Sequence, residues 1–456
     1  MKKLAVAILA IVAVALLALP EVYGRLTEAQ VRARVAAINS AAWSVEITSY
    51  ERGWFRSHAV IDLGLSPLYA AAFAGPNVPP GALGGHLPVA IDVAHGPIAA
   101  LDGVYFGWSK TVARSDRTAP QIAALEQQLG VPHLFEFRSR TSFLGETSFE
   151  AEVPMFGLPL ETAAGSVQFS GLSAAGTVRG DHVKSDGSID SIELSMPDGG
   201  MALRGLRATI DAEIRSSALV LGTSGVEIDS VSATSLPTVF DAEKLKFAWK
   251  STLDASGGRL DVNTSYDIAS LTLADVKLTD ASIGLAFRNV DVEAFAAYRD
   301  AAQEFARSQD PSSMLSAATR LIAARPTLVL EPVRVLADGE LFEAHLEVTP
   351  NERAAAGAAA FADPALLAGA FDGSAQIDIS QRLAERIAQQ ALRMQFANDP
   401  SIPAEQLDAT VQAQSGVVLL MLAGQGIIEA NGTGYRAKVE LANGQLLLNG
   451  RPMPLP

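Results

Sequence analysis

Two arginines, three aromatics and one glycine crowd into Tyr50-Glu51-Arg52-Gly53-Trp54-Phe55-Arg56-Ser57, in a chain that is only 6% aromatic. Guanidinium groups stack on aromatic rings and bind anions. Tyr50, Arg52, Trp54 and Arg56 therefore have the chemistry either to hold an anionic ligand or to clamp one strand against the next element. His58 follows, and with Asp62 or a glutamate it could serve acid–base chemistry in a hydrolase. The remaining histidines, His86, His95, His133, His182 and His345, lie at no metal-ligand spacing, and no His-Glu-x-x-His occurs. Gly222-Thr223-Ser224-Gly225 is one residue short of a nucleophile elbow and reads as a turn. Gly424-Gln425-Gly426 lacks the third glycine of a nucleotide loop. Residues 181–190 miss the calcium-loop pattern and read as a hairpin tip. Asn263-Thr264-Ser265 and Asn431-Gly432-Thr433 read as turns. No catalytic, metal or cofactor-binding residue is assigned, and no cofactor is expected.

The elements that position the aromatic and basic residues are strands. Trp43, Val45, Ile47, Phe55, Ala59, Ile61, Leu63 and Leu65 occupy odd positions, whereas Tyr50, Arg52, Trp54, Arg56 and His58 occupy even ones. Period-two alternation predicts one apolar face and one face displaying the five polar and aromatic residues in a row. Gly53 marks either a hairpin turn or a bulge in a single bent strand.

Upstream, Lys2 and Lys3 precede an apolar run over residues 4–19. The run reads as an uncleaved membrane anchor or as a cleaved signal, the latter with Val22-Tyr23-Gly24 as its processing site. Either reading exports the body, and the lysines keep the N-terminus cytoplasmic. Thr27-Glu28-Ala29-Gln30 forms a capping box opening a membrane-proximal helix, with Val31, Val35 and Ile38 on one face.

Downstream, residues 135–285 alternate apolar and polar in short segments separated by Gly, Ser, Asn and Asp, a meander of hairpins. Helices are expected over 294–307, from Pro311, from Ser380 to Phe396, and from Pro403 to about 423. The apolar run 417–422 is too short to span a membrane. Hairpin turns are expected at Ala337-Asp338-Gly339 and Asn443-Gly444. Residues 78–86 and 354–362 read as exposed turn and linker. The fold class is thus α+β and predominantly antiparallel β. It is an extended, twisted or curled sheet with helices concentrated in the C-terminal part and an N-terminal membrane helix. The organisation is anchor or signal 1–24, membrane-proximal helix 25–40, β-rich body 41–289, and a helix-containing β region 290–456 completing that body. A net charge of −15 gives no bulk attraction for nucleic acid, and the absence of cysteine excludes disulfides and thiol chemistry.

The exported apolar segment followed by Tyr50-Glu51-Arg52-Gly53-Trp54-Phe55-Arg56-Ser57 resembles the YdgA-like family of Gram-negative envelope proteins, a domain of unknown function. The ending Gly444-Gln445-Leu446-Leu447-Leu448-Asn449-Gly450-Arg451-Pro452-Met453-Pro454 is similar to that family's ending as well. The resemblance implies a location and an architecture: inner membrane, single-pass, with the body in the periplasm, or soluble periplasmic after signal cleavage. It implies no chemistry. The expected role is a non-enzymatic scaffold or binding module. Its partners are the inner membrane, through the N-terminal helix, and a lipid held in an apolar groove or another envelope protein. The alternative is an envelope hydrolase with an unrecognised site. A groove requires a continuous, solvent-accessible strip of Val, Leu, Ile and Phe; a dry two-sheet core would exclude it.

Overall fold

The computed structural model describes Glu28, Ala29, Arg32, Val35 and residues 43–65, 86–160, 165–216, 219–235, 238–273, 276–308, 310–356, 369–396, 404–442 and 444–453. Segment 1–24, expected as an anchor or signal, and nearly all of the expected turn region 78–86 lie outside these residues. Of the helix expected over 25–40, Glu28, Ala29, Arg32 and Val35 are described, and all four are helical. The chain divides into two compact units, Met1–Ile214 and Arg215–Pro456.

The first unit contains β1 (Trp43–Arg52), β2 (Arg56–Leu65), β3 (Leu87–His95), β4 (Ile98–Ala100), β5 (Val104–Phe106), β6 (Ser109–Ser115), α1 (Pro120–Leu129), β7 (Glu136–Thr141), β8 (Glu146–Val153), β9 (Phe156–Leu160), β10 (Gly165–Phe169), β11 (Leu172–Arg179), β12 (His182–Met196) and β13 (Gly199–Ile214). Its ladder runs β1-β2-β3-β6-β7-β8-β11-β12-β13, antiparallel throughout. Strand β12 is long enough to take β11 along its first half and the β9–β10 hairpin along its second. The tightest packing involves β1, β2, β3 and β6, where Val45, Ala59, Val89, Val93 and Val112 are buried. Helix α1 has Pro120 in its first turn and Gly130 in the left-handed region at its end. It is a helix that the alternation pattern does not announce.

The second unit contains β14 (Val220–Ser235), β15 (Thr238–Leu253), β16 (Arg259–Leu273), β17 (Val276–Asp291), α2 (Val292–Ser308), α3 (Pro311–Ala323), β18 (Thr327–Ala337), β19 (Glu340–Pro350), β20 (Phe371–Ser380), α4 (Gln381–Phe396), α5 (Ala404–Gly424), β21 (Glu429–Ala430), β22 (Gly434–Ala442), β23 (Gln445–Leu448) and β24 (Arg451–Met453). Its antiparallel ladder runs β14-β15-β16-β17-β18-β19-β20-β22-β23-β24. The expected helix boundaries hold: the Asp310 side chain caps α3 by accepting from the Ser312 N–H, and Ser380 precedes α4. Within α5, Gln406–Gly424 is long and apolar enough to cross a bilayer, a longer stretch than the run 417–422 suggests. Leu419 on this helix packs with Ala384 and Ala388 of α4 against Ile379, Ile428 and Tyr435.

Strands β12 to β17 are 15 or 16 residues long, not the short segments expected. A crease explains the difference. Between β14, β15, β16 and β17 the pairing skips Asp229, Lys244, Ala269 and Asp280, and Lys244 and Asp280 have φ of 53° and 49°. Crossing this line, the apolar positions of β15 switch from Phe240 and Ala242 to Leu245, Phe247 and Trp249. Each long strand consequently reads in sequence as two short ones. Residues 222–225 and 263–265, expected as turns, instead lie in regularly paired parts of β14 and β16. Only the start of 181–190 is a hairpin tip, at Gly180 and Asp181; the rest is β12. Pro332 has no N–H to give the ladder, and β18 slips register beside it.

Candidate functional site

The motif at residues 50–57 is a hairpin and carries a bulge as well. Strands β1 and β2 pair from Trp43↔Leu65 to Arg52↔Ser57, with a register shift that leaves Thr48 without a cross-strand residue. The Thr48 hydroxyl donates instead to the Val60 carbonyl at 2.9 Å. One extra residue reverses the alternation beyond it. Tyr50 and Arg52 therefore share a face with Ala59, Ser57 and Ile61, while His58 stays on the opposite face with Glu51. The expected five-residue row on one face is thus split.

At the turn, the Gly53 N–H donates to the Arg56 carbonyl at 2.8 Å. A Cβ on Gly53 would lie 2.6 Å from that oxygen, so glycine is required by close approach of the backbone. Arg52 meets Glu28 at 3.3 Å, and the Arg32 guanidinium stands 5.6 Å from the Tyr50 ring centre. Arg56 donates to the Ala100 carbonyl. Both motif arginines thus tie the hairpin to neighbouring elements, whereas Trp54 and Phe55 are half exposed at the tip.

Beneath the turn sits a pair that sequence reasoning missed. Ser57 Oγ and His95 Nε2 are 2.8 Å apart. Ser57 stands opposite Val93, so His95, two residues on, lies on the same face. Tyr50 packs beside them, and burial pushes its phenol up, against smaller opposing effects of Ser57, Arg32 and Arg52. Ser57 is 2% exposed and His95 0% exposed, so in this conformation neither can meet a substrate. His58 pairs with Asp92 at 2.9 Å rather than with Asp62, which meets His86 at 3.0 Å. A depression of about 480 Å³ in the first unit is lined by Glu136, Glu150, Glu152, Asp186 and Asp190 with Arg138. Among the described residues no group of side chains converges as a metal site.

The second unit offers a different feature. Register aligns Val226, Phe247, Tyr266, Ile283, Val333, Ala344, Ile377 and Ala437 in one row across eight strands. At ~4.8 Å per strand the row extends about 34 Å. Tyr266 and Ile283 each keep 47% of their surface open, and Ile377 keeps 43%. Phe247 and Tyr266 pack ring to ring at 5.1 Å. The next row, on the other face, is Glu227, Lys246, Asp267, Ser282, Arg334, Glu343, Asp378 and Arg436. Lys246–Glu227 at 2.9 Å and Arg436–Asp378 at 2.8 Å make it a ladder of ion pairs. Burial pushes the Asp378 carboxyl up, but hydrogen bonds from Gln376, Arg436 and Asn431 together hold it below the usual range. One face is thus wet and charged, and the other is apolar with its central row open.

These features define an antiparallel β-sheet protein with an open apolar face. The chain belongs to the bacterial family of unknown function DUF945, whose pattern matches residues 1–456. None of the characterised proteins or solved structures compared matches it.

Proposed function

We propose that the chain is a non-enzymatic envelope protein of the YdgA-like type. Residues 4–19 anchor it in the inner membrane, and the apolar face of its second unit holds lipid hydrocarbon in the periplasm. The observation that carries the reading is the apolar row from Val226 to Ala437, open at Tyr266, Ile283 and Ile377. A half-open Ile or Tyr in water leaves about 1 kcal/mol of burial free energy unrealised, and neighbouring rows multiply that. An acyl chain covers such a strip without needing directional bonds. The strip's ~34 Å exceeds the roughly 15 Å of hydrocarbon in one leaflet, so more than one chain fits along it. The charged ladder behind the strip keeps the other face in water. Ser57 and His95 favour no hydrolase, because they act as buried polar packing.

The test is the lipid content of the full-length chain extracted from membranes in a detergent-free polymer. An Ile283→Asp, Ile377→Asp variant, altered only at open positions, should carry fewer phospholipids per chain. Equal lipid content with intact folding removes the lipid reading.

A further inference from the structure

Three turns of the first unit meet at one end of its ladder. The β1–β2 turn holds Trp54 and Phe55; the base of the β4–β5 hairpin holds Ile98 and Phe106; the β7–β8 turn holds Phe143 and Leu144. All six side chains are 48% to 92% exposed. The turns are joined by backbone bonds: His95 N–H to the Phe55 carbonyl at 2.8 Å and Trp108 N–H to the Thr141 carbonyl at 2.8 Å. The Trp108 indole donates to the Phe143 carbonyl at 2.9 Å. The fringe therefore gathers three neighbouring tips of exposed aromatic and aliphatic side chains at one end of the ladder.

We propose that this fringe is seated in the headgroup interface of the bilayer entered by the N-terminal segment, an inference that rests on reading residues 4–19 as an anchor. The argument comes from where the described chain starts. Glu28 binds Arg52, the last residue of β1, beside the turn. Arg32 lies over Tyr50, two residues further from the turn. Glu28 is therefore held at the fringe end of the ladder. Leu19, the last residue of the apolar run, is nine residues before Glu28. Nine residues reach at most about 30 Å when fully extended, so an anchored chain holds this end of the unit against the membrane. Tryptophan and other rings with apolar flanks are the side chains that settle at headgroup depth. Arg52, Arg56 and Arg140 stand at this end with Glu28, Glu51 and Glu146, a neutral patch in a chain that carries −15. That local balance tolerates an anionic surface that the rest of the chain repels. A second copy of this chain would instead have to match three separate tips with a complementary hollow.

The chain has no cysteine, so single cysteines report cleanly. Full-length variants Phe106→Cys, Leu144→Cys and Met155→Cys would carry an environment-sensitive fluorophore in vesicles of phosphatidylethanolamine and phosphatidylglycerol. Met155 is 73% exposed at the other end of β8. Labels at 106 and 144 should be quenched by nitroxide lipids and shielded from an aqueous quencher, while the label at 155 should show the reverse. If the chain floats with the vesicles but labels 106 and 144 are as open to the aqueous quencher as 155, the fringe proposal fails and the anchor stands. Labels shielded from water yet untouched by lipid quenchers mean that protein covers the fringe, which also overturns it. A chain that does not float sinks the anchor and the fringe together.

Discussion

Ser57 and His95 are 38 positions apart and meet at 2.8 Å in the most enclosed part of the first unit. Their pairing depends on the register of β2 against β3, and it locks the motif hairpin onto the ladder. Ser57→Ala takes a hydrogen bond from a fully buried imidazole. The expected loss is about 1–3 kcal/mol of stability, read as a lower urea midpoint. An unchanged midpoint would mean that the pair contributes nothing to the fold.

Gly53→Ala tests the turn. The added methyl meets the Arg56 carbonyl at 2.6 Å, where backbone rather than a flexible side chain must move. A cost of roughly 1–3 kcal/mol follows from overpacking of this kind. Trp54→Ala, at the exposed tip, should change the unfolding free energy, read from the same urea titration, by no more than about 0.5 kcal/mol. Equal losses for the two variants would contradict the division of the motif into a structural base and an exposed tip.

The strands were legible in the sequence wherever alternation is unbroken, as in β8, β10 and the C-terminal hairpins. Their lengths were not. Left-handed residues at Lys244 and Asp280 reset the phase of alternation, so a continuous strand resembles two. The motif misled for a related reason: one unpaired residue, Thr48, moved Tyr50 and Arg52 to the face opposite His58. The Ser57–His95 pair leaves no local trace, because cross-strand neighbours are set by register between segments far apart in sequence. The open apolar row was legible only as scattered Val, Ile, Phe and Tyr. Their alignment across eight strands is a property of the ladder.

The crease carries its own prediction. Asp280 has φ of 49°, a conformation a β-branched residue adopts at a cost of about 1–2 kcal/mol. Asp280→Ile should lower the urea midpoint accordingly, whereas Asp280→Gly should hold or raise it. If both behave alike, the left-handed backbone at this position is not what shapes the strand.

Acid should loosen the charged ladder through Asp378. Its carboxyl titrates below the ordinary range in the folded chain. Its contribution is therefore complete above the unfolded carboxylate value and is lost as pH falls through the lower folded one. Asp378→Asn should flatten that part of the acid limb in a pH series of unfolding midpoints. A variant with the parent's acid limb would show that the group does not matter.

The most direct measurement of the apolar face is photo-crosslinking in living cells, with a photoreactive amino acid placed in the full-length chain at Ile283 on the open row and, separately, at Asp267 on the charged row. The account predicts phospholipid adducts at 283 and none at 267, read by mass spectrometry of the purified chain. Adducts at 283 that contain only protein, or equal lipid adducts at both positions, would contradict it.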